Sequence, residues 1–383
     1  MTTLNLSGLE AGDTTEARGT VGTFSVGTTP IRTGQYALRC NPASSAAGAL
    51  HFGTIAASGS INVGVARTAE TFYTFYFRFE DLPSNTVQFA SVESSTPADI
   101  VHLDCSSGGA ITLTGTTTSS TVATISADTW YRADLRVTSN GTSGLKIDGS
   151  AEQTVTAQNL TQDRIYLGRR ITTQAVAFDA SYDDLLISNS GFPGAGQVNR
   201  LDPDGNGTYT AWNSGTGADT FADVDDDVPG HDSDTTYIAA LDTDDNTART
   251  FTLESSSSGG VAGTILSVKA YVIVRTDSIT GTSAVGLRVR NGSTDSDTTG
   301  AEMTTTYQTR GKLLDTDPNG GGAWTSGGLD TLEVGVTAFA IVQIQRCTKV
   351  AAMVWCAGGA AAAGKGPPPF QRPWRRWNTR RIA

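Results

Sequence analysis

The run Asp202-Pro203-Asp204-Gly205-Asn206-Gly207 opens like a calcium loop. In a D-x-D-x-N-G run, carboxylate and amide oxygens converge on a hard cation where a glycine turns the chain tightly. Asp202, Asp204 and Asn206 are therefore candidate calcium ligands. The twelfth position of such a loop is Asn213 instead of a bidentate Glu, and neither flank has helical periodicity. An Asx-rich interdomain turn accounts for the same residues and is the favoured reading. A second acidic group follows at Asp223, Asp225, Asp226, Asp227, Asp232 and Asp234. Carboxylates this dense repel one another unless a cation or basic partner intervenes. A solvated loop is the ordinary expectation, and a subunit or cation contact the sharper one.

Other reactive groups are sparse. The histidines are His51, His102 and His231, and there is neither a Gly-x-Ser-x-Gly elbow nor a phosphate-binding glycine loop. Cys40, Cys105, Cys347 and Cys356 follow no CxxC spacing, which argues against zinc. Buried thiols are expected, with a Cys40–Cys105 disulfide as the alternative. Trp130, Tyr131, Tyr166 and Tyr182 could stack on sugar rings, but each sits in a strand where burial is the usual fate.

The elements that carry these residues read as β-strands throughout. In WYRADLRV (130–137), Tyr131, Ala133, Leu135 and Val137 alternate with Trp130, Arg132, Asp134 and Arg136, the period of a strand buried on one face. FYTFYFRF (72–79) has aromatic residues on both faces and belongs in the centre of a sheet. Shorter strands at 35–40, 87–93, 100–105 and 110–115 are separated by Gly, Ser or Pro, a spacing that predicts a two-sheet sandwich. The strand pattern lapses at SGFPGAGQVNRLDPDGNG, so residues 196–206 are read as a linker between a domain of 1–195 and one of 207–356. The second domain repeats the β signals at 248–254, 265–275, 285–290 and 332–344.

The order of a Trp-Tyr strand, a strand ending in Asp148-Gly149, and a late strand reading Asp183-Asp184-Leu185-Leu186-Ile187-Ser188 resembles the concanavalin A-like lectin/laminin-G jelly roll. The expected fold is all-β: two tandem antiparallel β-sandwiches of jelly-roll type, the N-terminal one concanavalin A-like or laminin-G-like. Some enzymes of that fold hydrolyse polysaccharides with a strand-borne Glu-x-Asp-x-x-Glu. No such run occurs, and Phe79-Glu80-Asp81 lacks the following Glu, so the sequence reads as non-enzymatic.

SNSGFPG, the Asp-Gly-x-Gly turn, Trp212 and the acidic loop into Asp234-Thr235-Thr236-Tyr237-Ile238 together resemble virion structural proteins of tailed bacteriophages. The resemblance implies location in the virion, on its surface. The role it implies is tail-associated or fibre-like, with contacts to other virion proteins, homo-oligomerisation and contact with host surface polysaccharide. A capsid decoration protein and a lectin-like module outside a virion are the alternatives.

Charge and composition bound these readings. The chain has 383 residues, 43 Gly and a formal net charge of −11. Residues 357–383 carry six basic and no acidic groups, leaving 21 basic against 38 acidic groups elsewhere. An acidic body does not fit a phosphate backbone, so no nucleic-acid partner is expected. No apolar stretch approaches twenty residues and no basic-then-apolar leader opens the chain, so neither membrane spanning nor export is expected. The tail's Arg372, Trp374, Arg375, Arg376, Trp377, Arg380 and Arg381 form a candidate docking arm. Translation through an altered reading frame accounts for its composition equally well.

Overall fold

The computed structural model describes residues 2–10, 14, 16–53, 70–95, 98–116, 118–139, 141–215, 221–226, 232–240, 246–278, 283–340 and 343–358. It is all-β, built as two tandem antiparallel sandwiches of two sheets each. In the first sandwich, an eight-stranded sheet runs in the order Gln153–Thr156, Thr142–Ile147, Tyr131–Val137, Thr71–Asp81, Asp179–Ser188, Ala37–Cys40 and Ser25–Gly27. Its eighth strand, Thr3–Ser7, also pairs with Asp179–Ser188. The facing seven-stranded sheet runs Ser119–Thr124, Ala110–Thr114, Asp99–Cys105, Val87–Ser94, Gln162–Arg169, Gly48–Phe52 and Gly19–Gly22. The long aromatic strand is central, as its two-sided pattern predicts, and Tyr73, Phe75, Phe77 and Phe79 fill the core with no exposed surface. Tyr182 reaches across that core, its hydroxyl donating to the Phe89 carbonyl at 2.7 Å.

The second sandwich has its own core around Trp212, Val272, Leu287, Val334 and Val354. It begins earlier than the sequence reading allows. Gly196–Leu201, taken there as linker, is a strand paired with Gln345–Ala357 near the end of the described chain. Pro203–Thr210 is the next strand, paired with Ala248–Leu253. Of the glycines and prolines that looked like a linker, Gly196, Pro203, Gly205 and Gly207 lie in edge strands, where a strand tolerates them. All four cysteines are buried free thiols, so the Cys40–Cys105 disulfide does not form. Among the described residues, no helix is long and apolar enough to cross a membrane.

The sandwiches are fastened by a small apolar cluster and a buried polar network. Leu6 and Leu186 of the first sandwich pack with Val198, Tyr271, Ala351, Met353 and Trp355 of the second. Asp184 sits at a register shift in its strand with φ 50°. This left-handed backbone turns its carboxylate toward the second sandwich, where it accepts the Val198 N–H at 2.6 Å. The same carboxylate takes the Thr33 hydroxyl at 2.7 Å and pairs with Arg32, whose guanidinium lies 3.3 Å from the centre of the Tyr76 ring. From the other side, Arg200 donates to the Glu10 carbonyl at 2.6 Å and Lys269 to the Leu6 carbonyl at 2.8 Å. Burial pushes the Glu10 and Asp183 carboxyls well up and the Lys269 amine down.

Candidate functional site

The calcium candidates do not converge. Asp202 receives two bonds from Arg200, at 2.9 and 2.6 Å, Asp204 accepts from Thr252 at 2.9 Å, and Asn206 accepts from Arg249 at 3.1 Å. They are spread along a strand and the residue before it, where same-face positions lie roughly 6.8 Å apart. Oxygens sharing a calcium ion must come within about 5 Å of one another. The calcium reading is therefore corrected: extended backbone, with a separate protein partner for each group, replaces the loop. Among the described residues, no group of three or more His, Cys, Asp or Glu is placed to hold a metal.

The acidic segment is not a freely solvated loop either. Asp226 is buried and accepts the Asp232 N–H at 2.8 Å and the Thr348 hydroxyl at 3.2 Å, and burial pushes it up to about 6. Asp234 is held by Arg275, by Arg346 at 3.0 Å and by the Tyr307 hydroxyl at 2.8 Å. Basic groups of the sheet beneath thus offset the repulsion. An open depression of about 440 Å³ lies beside Asp234, lined also by Ser233, Arg275, Thr305, Thr306 and Tyr307. Asp227 and the tail residues Arg372, Trp374, Arg375, Arg376, Trp377, Arg380 and Arg381 lie outside the described residues.

The structure gathers a different set of polar groups on the outer face of the seven-stranded sheet. Directly paired residues share a sheet face. Register therefore aligns Gly19, His51, Tyr166, Ser91, His102 and Thr114 in one row across six strands. The His51 ring lies over Gly19, where a Cβ would come within 2.4 Å of Nε2, and 4.9 Å from the Tyr166 ring. Burial, with Arg164 and Arg18 nearby, brings His51 down to about 4 and keeps it neutral.

Beside this row, Glu93 and Asp99 are direct cross-strand partners. Arg170 and the Ser91 hydroxyl, at 3.2 Å, bond Glu93 Oε1. Gln88 donates to Asp99 Oδ2 at 3.0 Å. His102 sits between Asp99, 3.4 Å from Nδ1, and Asp104, 3.3 Å from Nε2. Burial works against its charge, but the Asp104 and Asp99 carboxylates hold it up to about 9. Burial and the facing Asp99 push Glu93 up to about 7 against the pull of Arg170. The face therefore holds a neutral imidazole, an imidazolium clamped by two carboxylates, and a carboxyl that titrates near neutrality. This array can donate and accept hydrogen bonds and exchange protons.

Sequence reasoning missed Glu93, Asp99 and His102 because their strands are irregular. The register shifts between Gln88 and Ala90 and again between Val92 and Glu93, so Ile100 and Val101 are both buried and simple alternation fails. Of the aromatic candidates, Tyr166 lies in the row and is 4% exposed, Tyr182 is core, and Trp130 and Tyr131 are half-buried elsewhere.

No known family matches the chain, and no curated protein does. Solved structures do match. An endo-β-1,4-glucuronan lyase from the fungus Trichoderma reesei is 16% identical over 45% of this chain and 91% of its own, with a TM-score of 0.33. The cellulose-induced protein Cip1 is 16% identical over 46% of this chain and 89% of its own, at 0.34. A Trypanosoma rangeli sialidase in complex with the inhibitor DANA is 12% identical over 46% of this chain and 30% of its own, at 0.32. Likeness at this level transfers no activity. The sequence-based expectation of a non-enzymatic chain is not upheld: a lyase and sialidases stand among the structures that match it.

Proposed function

We propose that this chain is a structural protein on the surface of a tailed-phage particle, tail-associated or fibre-like, and that it contacts host surface polysaccharide through its N-terminal jelly roll. The observation that carries this reading is the orientation imposed by the junction. The second sandwich is bonded through Leu6, Glu10, Tyr76 and Asp184. These residues lie on the side of the eight-stranded sheet, which leaves the polar row of the seven-stranded sheet turned away. A face rich in paired carboxylates, imidazoles and arginines suits the hydroxyls of a glycan, and a buried junction suits a load-bearing spacer. The order of strand landmarks in the sequence supplies the phage assignment. Other virion proteins and further copies of the chain are its partners in this reading.

The test is cryo-electron microscopy of particles from the source, with the chain located in the density, combined with glycan-array binding of the full chain. A few copies at the tail and saturable glycan binding support the reading. Hundreds of copies over the head would replace it with capsid decoration, and absence from particles would sink it.

A further inference from the structure

Glu93 and Asp99 face each other across paired strands, with their carboxyls within hydrogen-bonding reach. One oxygen of each has donors: Ser91 and Arg170 serve Glu93 Oε1, and Gln88 and His102 serve Asp99 Oδ2. The other two, Glu93 Oε2 and Asp99 Oδ1, are buried and lack a hydrogen-bond partner among the described residues. Two ionised carboxylates so placed would set like charges opposite each other and leave two desolvated acceptors without a hydrogen bond, Asp99 Oδ1 having only the Arg170 guanidinium at 3.7 Å. A single proton turns one oxygen into a donor and satisfies both.

We propose that Glu93 and Asp99 hold one proton between them, and that this proton decides how strongly the face takes an anionic glycan. The second half rests on the glycan-contacting role proposed above. The charged groups around the pair are Asp99, His102 and Asp104 from its partner strand, Asp163 and Arg164 from the strand on the other side, Arg170 just beyond that strand, and Arg18 bound to Asp163 at 2.7 Å. Tyr166, in the same strand as Arg164, and His51, in the strand beyond it, are neutral at pH 7. With the proton in place, four cations (Arg18, Arg164, Arg170 and His102) face three anions (Asp99, Asp104 and Asp163). Without it, the count is even, and the excess positive charge that attracts an acidic sugar is gone. Glu93 titrates near 7, so the change falls within the physiological range.

The experiment has two arms on the full chain. The first follows the ¹³C shift of the Glu93 side-chain carboxyl from pH 4 to 9. A midpoint near neutrality is expected, and its absence from Glu93→Gln assigns the signal. A Glu93 midpoint below 5 overturns the shared proton whether or not any sugar binds. The second arm measures octagalacturonate binding at pH 6 and pH 8, with neutral maltooctaose as control. One unit of charge at this range predicts roughly fivefold weaker octagalacturonate binding at pH 8. The change should vanish in Glu93→Gln, which mimics the protonated carboxyl. Asp99→Asn, which removes the opposing charge, should lower the Glu93 midpoint and serves if the first variant folds poorly. A neutral Glu93 midpoint without octagalacturonate binding at either pH overturns the glycan half and leaves the proton assignment standing.

Discussion

Asp184 makes the most exacting prediction, because one carboxylate does three separable things at the junction. It accepts the Val198 N–H of the second sandwich at 2.6 Å, it pairs with Arg32, and it occupies a backbone φ of 50°. Asp184→Ala removes both of these interactions and the bond from the Thr33 hydroxyl, and places a residue without a polar side chain in the left-handed region. Removing one partner of a buried ion pair costs about 3–5 kcal/mol. The lower end applies here, since Arg32 stays 12% exposed and stacked on Tyr76. The orphaned Val198 N–H adds about 1–2 kcal/mol, and the left-handed backbone adds about 1 kcal/mol. The total is about 5 kcal/mol. Asp184→Asn keeps an acceptor for Val198 and tolerates the backbone, and losing the charge relieves repulsion with Asp183, so about 2 kcal/mol is expected. Equilibrium urea unfolding followed by tryptophan fluorescence reads both values, with Trp355 at the junction as a reporter. The wild type should unfold in one transition and Asp184→Ala in two as the sandwiches uncouple. If both variants fall within 1 kcal/mol of wild type, the carboxylate does not hold the junction. If they are equally destabilised, charge alone matters and the backbone argument is wrong.

Two further outcomes are expected. Imidazole ¹⁵N spectra should show His102 protonated up to about pH 9 and His51 neutral down to about pH 4. The raised His102 then contributes stability below pH 6.5 that is lost as pH rises through 9, whereas the lowered His51 contributes stability above 6.5 that is lost as pH falls through 4. Midpoints near 6.5 for both would refute the electrostatics of the face. Gly335→Ala should cost about 3 kcal/mol, because its Cβ would meet the Arg249 carbonyl oxygen at 1.9 Å and neither backbone can yield without breaking the strand pair. Gly320→Ala, with nothing within 4 Å, should stay within about 0.5 kcal/mol when both variants are unfolded in urea alongside the wild type.

Local chemistry made much of the fold legible. The two-sided aromatic run at 72–79 is buried as its pattern predicts, and in 131–137 Ala133, Leu135 and Val137 are buried on one face. Asp134 on the other face is buried too, accepting the Thr74 hydroxyl at 2.9 Å, and Tyr131 is half-buried. Buried thiols followed from the absence of metal spacing. The candidate site was not legible, because Glu93, Asp99 and His102 look like ordinary strand residues until register shifts bring them to one face.

The amino-acid sequence by itself determined that this protein is all-β and built as two sandwiches, since strand period, turn residues and apolar content are local properties of the chain. Tertiary structure alone decided that Gly196–Leu201 is a strand, because its partner lies some 150 residues away at Gln345–Ala357. Pairing also drew Asp202, Asp204 and Asn206 along extended backbone to three different partners, and it set Glu93 against Asp99 and Asp184 against Val198. Register is a relation between distant segments, and a one-residue bulge changes which side chains meet.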